Sequence, residues 1–161
     1  MGRVLAKVLA KHSIATPEEM HDLGVALAAT LNPGDLVLLT GPLGAGKTTL
    51  TRGIGQGLAA IGNVSSPTFV IARTHRREGV SSVFVHVDAY RLASAAELDD
   101  LDIDFKNSIT VVEWGKGLTD GLTERWLEVE IERDSTGATE TREVTVTEHN
   151  SVEENSGGSN D

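Results

Sequence analysis

The 161-residue chain reads as an α/β protein, with three layers around a mixed, mainly parallel sheet and an antiparallel hairpin at its C-terminal end. Three observations lead there. A short, continuous apolar run from Asp35 to Thr40 leads into a glycine-rich loop and then a helical segment. Strand-like and helix-like stretches alternate from there to Trp114. Beyond them, two stretches of period-two alternation flank the turn formers Asp134, Ser135, Thr136 and Gly137.

Each element has a local reason. Thr16-Pro17-Glu18-Glu19 combines capping-box spacing with proline at the first helical position. Met20, Leu23, Leu27 and Leu31 then recur at helical spacing, so a helix is expected over about 17–31, closed by Asn32-Pro33-Gly34. Asp35–Thr40 is a buried strand, and a helix follows the loop after it. Gly53, Gly55 and Gly57 lie inside that helix at a cost of about 1 kcal/mol each relative to alanine. Close packing of helix on sheet accounts for them. Phe69 to Arg73 and Val83 to Val87 read as strands around a basic turn, His75 to Gly79. About 94–100 is a short helix, and Ile109 to Trp114 is a buried strand. In the hairpin, Trp126, Leu127, Val129 and Ile131 leave one face polar, which puts it at an edge or on one side of the sheet. One domain over 1–148 is expected, with 149–161 a disordered acidic tail.

Composition removes several classes of function. The chain has no cysteine, which excludes disulfides, thiolate metal sites and cysteine nucleophiles. No apolar run approaches the roughly 18 residues of a membrane span. The first ten residues lack a signal-peptide cleavage pattern, so a cytoplasmic location and no membrane partner are expected. Charge is unevenly placed. Up to Ala96 there are nine basic and six acidic residues, net +3; from Glu97 onward there are five and eighteen, net −13. Tight autonomous binding of nucleic acid is not expected, because phosphate neutralisation needs clustered Lys and Arg.

Gly41-Pro42-Leu43-Gly44-Ala45-Gly46-Lys47-Thr48 satisfies G-x-x-x-x-G-K-[ST] at every required position, between a strand and a helix. Glycines let successive N–H groups curl around a phosphate, and the helix N-terminus adds a favourable dipole. Lys47 can reach the β- and γ-phosphates, the Thr48 hydroxyl can sit on Mg2+, and Thr49 lies near the α-phosphate. The fold expected is therefore of the P-loop NTPase type. No N-K-x-D tetrapeptide occurs, which favours ATP over GTP.

Such a site also needs an acid at the end of a buried strand, for the metal or for the attacking water. Asp88 and Glu113 both end suitable runs, and Glu113 is favoured for the metal-water site or base. His86 shares a face with Asp88 by strand alternation. It is read as orienting Asp88 or as a core histidine, ahead of a transition-metal ligand. Arg91 stands equally as a phosphate contact or a surface residue. Arg73, His75, Arg76 and Arg77 read as a solvated turn before a docking patch. Trp114 either covers the nucleotide or fills the core.

Together with Ser66-Pro67-Thr68-Phe69, His86-Val87-Asp88-Ala89-Tyr90-Arg91-Leu92, Glu97 and Val112-Glu113-Trp114, the loop closely resembles the TsaE (YjeE) family over about Thr16 to Ile131. The resemblance implies an ATPase, slow alone, that supports the TsaB–TsaD pair in making threonylcarbamoyladenosine at position 37 of tRNAs reading codons that begin with A. tRNA would be met only through that pair. It implies Lys47 and Thr48 as the P-loop lysine and Mg2+ threonine, Asp88 and Glu113 as the two acids, Trp114 beside them, and Thr68 in a switch-type loop. Pro42 stands where the family often has Asp or Glu. The run Asp99, Asp100, Asp102 and Asp104 is local to this chain and reads as solvated surface. The rival readings are a small P-loop kinase of a metabolite or nucleoside, which lacks an evident arginine-bearing lid here, and a nucleotide-gated binding module.

Overall fold

The computed structural model describes residues 2–42, 44–62, 64, 72–90, 92, 94–115, 117, 119 and 122–153. In chain order the elements are β1 (Gly2–Ile14), α1 (Pro17–Ala28), β2 (Leu36–Thr40), α2 (Lys47–Gly57), β3 (Ala72–Arg76), β4 (Val83–Asp88), α3 (Ala95–Asp99), a 3-10 turn (Phe105–Asn107), β5 (Ser108–Glu113), β6 (Arg125–Arg133) and β7 (Arg142–Glu153). The strands form one sheet in the order β1-β7-β6-β2-β5-β4-β3.

The sheet is mixed, as expected, but its parallel share is smaller than the sequence suggested. β2 runs parallel to β5 and β6, and β4 parallel to β5, while the β1–β7, β6–β7 and β3–β4 pairings are antiparallel. The parallel pairings are the central ones, and β2 in their midst is apolar on both faces. Leu36 to Leu39 and all of β5 are buried. One face carries α1 and α2 over Val37, Leu39, Phe84, Ile109, Val111, Leu127 and Val129. The other packs Leu36, Leu38, Val85, Val87 and Val112 against Leu98 of α3 and the segment through Phe105. These are the three expected layers, the last of them thin. Among the described residues no helix is long and apolar enough to cross a membrane.

Thr16 caps α1, its hydroxyl accepting the Glu19 N–H at 3.1 Å, while the Glu19 carboxylate reaches back to the Ala15 N–H at 2.8 Å. The helix ends at Ala28, short of the expected Leu31, and Leu31 enters the core from the following turn. Two of the three α2 glycines do a different job from the expected packing on the sheet, which Gly55 alone serves. A Cβ at Gly53 would run into the His21 carbonyl oxygen, and one at Gly57 would lie 2.5 Å from Ala28 Cβ. Gly24 of α1 faces the Leu50 backbone in the same way. So two of the three bring α2 onto α1. Only Gly55 turns away, toward Val64 and Phe84 of β4.

The ends of the sheet depart most from expectation. β1 has no counterpart among the expected strands. It pairs with β7 from Gly2↔Glu153 to Ile14↔Arg142, with a register shift between Val8 and Ala10. The hairpin of β6 and β7 is therefore interior, and the edges are β1 and β3. Residues 149–153, assigned by composition to a tail, are the end of β7. Asn150 is paired on one side with Leu5 and on the other with Arg125, so strand pairing on both flanks reaches the polar His149 and Asn150, and β1 alone pairs with the last three residues. Arg125 reinforces that end, reaching Asp35 at 2.8 Å and Glu148 at 2.7 Å. Residues 154–161 lie outside the described residues. β3 runs on to Arg76, so its turn begins two residues later than expected; residues 69–71 of the expected strand lie outside the described residues.

Candidate nucleotide site

β2 delivers the glycine loop to one end of the sheet, and α2 leaves from it at Lys47. Gly44 (φ +75) and Gly46 (φ +110) hold the left-handed backbone that this curl requires. No side chain caps α2. Its leading N–H groups and dipole are therefore directed at whatever anion the loop takes.

Lys47 is almost fully buried. Its ammonium donates to the Gly41 carbonyl at 2.6 Å and the Pro42 carbonyl at 3.0 Å, and sits 4.2 Å from the centroid of the Trp114 ring. Burial holds its pKa below the usual lysine value, and the nearby Glu113 and Asp88 carboxylates oppose that shift. With three donors and two engaged, it keeps one for a ligand.

The two acids arrive on neighbouring strands. β4 and β5 pair in a register that sets Asp88 beside Glu113, and His86 beside Val111 on the same face. Glu113 is buried, and His86 Nε2 donates to its Oε2 at 2.6 Å. His86 thus orients Glu113 and not Asp88, because the strand pairing puts Glu113 diagonally across from it on the same face, which alternation along one strand cannot show. No partner to His86 Nδ1 occurs among the described residues. Asp88 is half-buried, and its Oδ1 accepts the Tyr90 N–H at 3.0 Å. Trp114, in left-handed backbone (φ +62), meets Tyr90 edge to face at 5.3 Å.

These groups line one cleft of about 320 Å3, formed by Gly44, Gly46, Lys47, Thr48, Thr49, Asp88, Glu113 and Trp114. Gly41 supplies a carbonyl to Lys47. Ala45 is buried in the core beneath the loop. Leu43, Thr68 with its Ser66–Phe69 block, and Arg91 lie outside the described residues. Of the basic cluster, His75 is buried on Phe84, and Arg77 donates to the Leu58 carbonyl at 2.8 Å and to Ser82 at 2.7 Å; Arg73 and Arg76 are exposed. Asp99, Asp100, Asp102 and Asp104 are all exposed.

The donor set suits a hard cation bound with phosphate. Thr48 offers a hydroxyl, and Asp88 and Glu113 offer carboxylates. Among the described residues no three His, Cys, Asp or Glu side chains converge on one point. Mg2+ typically takes one or two carboxylates and completes its shell with water and phosphate oxygens, so the residues present fit it.

The family described as Threonylcarbamoyl adenosine biosynthesis protein TsaE matches residues 14–144. The chain belongs to the TsaE family. It is 54% identical over 133 residues to the tRNA threonylcarbamoyladenosine biosynthesis protein TsaE of Streptomyces coelicolor, covering 80% of this chain and 89% of that protein. The TsaE protein of Bacillus subtilis is 36% identical over 138 residues, covering 85% and 84%. A crystal structure of Bacillus YdiB superposes with a TM-score of 0.67 at 31% identity, covering 91% of this chain and 86% of that one. The TsaE match spans α1 through the start of β7 and so includes the whole cleft.

Proposed function

We propose that this TsaE-family protein is a Mg2+-dependent ATPase, slow alone, that supports TsaB and TsaD in forming threonylcarbamoyladenosine on tRNA. One observation carries the ATPase reading. Lys47 and Thr48, Asp88, and Glu113, from three separate stretches of the sequence, line a single cleft at the mouth of the glycine loop. The loop N–H groups and the free donor of Lys47 hold the β- and γ-phosphates and meet the charge that develops as the terminal phosphoryl leaves. Thr48 and the acids would hold Mg2+, which supplies further neutralisation of the phosphate oxygens. Glu113, fixed through one oxygen by His86, is set to orient the attacking water with the other. Trp114 over the lysine keeps bulk water from that side.

Slow basal turnover is supported by where Lys47 rests. Its ammonium is tied to carbonyls of its own loop and stacked on Trp114, an arrangement a docking partner can change. The family membership supports the pathway, and with it the TsaB–TsaD partners. The test is phosphate release from ATP by the purified chain, alone and with its own TsaB, TsaD and tRNA. A low rate that rises with the partners and falls by about a hundredfold or more in Lys47→Ala is expected. Equal turnover with and without TsaB–TsaD refutes the partnership. Phosphorylation of an added hydroxylated metabolite in place of hydrolysis makes the protein a kinase.

A further inference from the structure

β1 is a 13-residue edge strand, bonded to β7 on one side, with no described strand beyond it. Its outer flank therefore presents a row of unpaired N–H and C=O groups, a template for another extended chain. All but its last residue lies outside the stretch matched to the TsaE family, and none of its residues lines the nucleotide cleft.

Three side chains make this edge adhesive. Leu5, Val8 and Leu9 are 49%, 52% and 47% exposed, half of the six large hydrophobic side chains that stand exposed among the described residues. The register shift between Val8 and Ala10 makes Leu9 the extra residue of a bulge, with no partner residue on β7. Leu5, opposite Asn150, and Val8, opposite Thr147, point to opposite faces, so apolar surface is offered on both sides of the edge.

Charge decides what can use it. The strand's sequence holds Arg3, Lys7 and Lys11, and the first acid of the chain is Glu18, although the chain as a whole carries a net charge of −10. Lys7 and Lys11 are exposed. Lys7 stands opposite Glu148, whose carboxylate is already bonded to Arg125 at 2.7 Å, and Lys11 stands opposite the uncharged Thr145. A second copy of β1 laid antiparallel about Leu9 would set Lys7 against Lys11 twice, and like charges directly opposite are destabilising. Lysines and a bulge are the means by which an edge resists indiscriminate pairing. A strand that carries acids meets no such penalty, so the exclusion becomes a selection.

We propose that the outer edge of β1, from Leu5 to Lys11, is a docking site for an acidic extended segment of a partner protein. The segment alternates apolar residues with Asp or Glu and adds to the seven-stranded sheet as one more strand. The test uses the full chain and synthetic peptides of about ten residues, one alternating Val with Glu and one alternating Val with Lys. Diffuse attraction to a chain of net charge −10 favours the lysine peptide, so a preference for the glutamate peptide reports the local strand. A preference of about tenfold or more is expected in fluorescence anisotropy at low salt. In the Lys7→Glu/Lys11→Glu variant the order reverses. The wild-type comparison stands without the variant, and backbone pairing is read separately. N-methylation of the glutamate peptide on one set of alternate residues abolishes binding and on the other leaves it unchanged, since only one set faces β1. The glutamate peptide also slows amide exchange within residues 5–11. Equal or tighter binding of the lysine peptide, an unchanged glutamate-peptide affinity in the variant, or protection confined to other strands overturns the proposal. A wild-type dimer in sedimentation with β1 amides protected overturns it in favour of a second copy.

Discussion

Replacing His86 by leucine isolates the contact that most distinguishes the buried part of the site. The histidine is fully buried, Glu113 nearly so, and they meet at 2.6 Å. Leaving the buried Glu113 carboxylate without its hydrogen-bond partner costs about 3–5 kcal/mol, because it keeps its desolvation penalty without compensation. Two effects reduce that here. Lys47 lies near enough to attract the Glu113 carboxylate, and a buried leucine side chain returns about 1–2 kcal/mol of transfer energy. A net loss of about 2–3 kcal/mol is expected, which for a chain of this length lowers Tm by about 4–12 °C. Urea denaturation of His86→Leu, Glu113→Leu and the double variant measures it, with a coupling of about 1.5–3 kcal/mol expected. Additivity within about 0.5 kcal/mol would show that the contact holds nothing together. Positioning is read separately from stability. His86→Gln keeps an N–H donor and should retain most of the partner-stimulated turnover, whereas His86→Leu should lower kcat with little change in KM for ATP. If glutamine rescues nothing, the pair does not orient Glu113.

Burial holds Lys47 below the usual lysine range, and Glu113 and Asp88 oppose the shift. On the proposed function the charged form binds phosphate, so ATP affinity is expected to fall as pH rises, at a lower pH than an ordinary lysine would give. Asp88→Asn removes an opposing charge and moves that limb lower still, and affinity titrations across alkaline pH that show it unmoved or raised refute this account. Gly53→Ala should destabilise by about 1–3 kcal/mol through overpacking against the His21 carbonyl, despite the helical preference for alanine. A more stable variant in denaturant would show that α1 and α2 can separate freely. Asp134 accepts hydrogen bonds from Thr136 and Thr139, and those bonds take its pKa from 3.8 to about 2. Its stabilisation of the β6–β7 turn is complete above pH 3.8 and lost as pH falls through about 2. Amide exchange at Thr136 and Thr139 should rise over that window in the wild type and show no such step in Asp134→Ala.

The core of the fold and the phosphate loop are local in origin, and sequence reading reached them. The Asp35–Thr40 run is apolar because β2 is covered on both faces, and the spacing from Gly41 to Thr48 is itself the loop's geometry. Asp88 and Glu113 were found because each closes an apolar run. What escaped depends on pairings between distant segments. β1 and the end of β7 are polar or mixed in pattern, and each becomes a strand by bonding to the other across more than a hundred residues of chain. The α2 glycines are legible as small residues, but only the approach of α1 shows which surface they serve. Alternation along one strand puts His86 on the face of Asp88, yet the β4–β5 register gives it to Glu113. The sequence by itself determined the glycine loop and the helix that starts from it, because backbone curl and helix start are set by consecutive residues. Only the tertiary structure decided which groups meet around it, because hydrogen-bond partners come from strands that lie far apart in the chain.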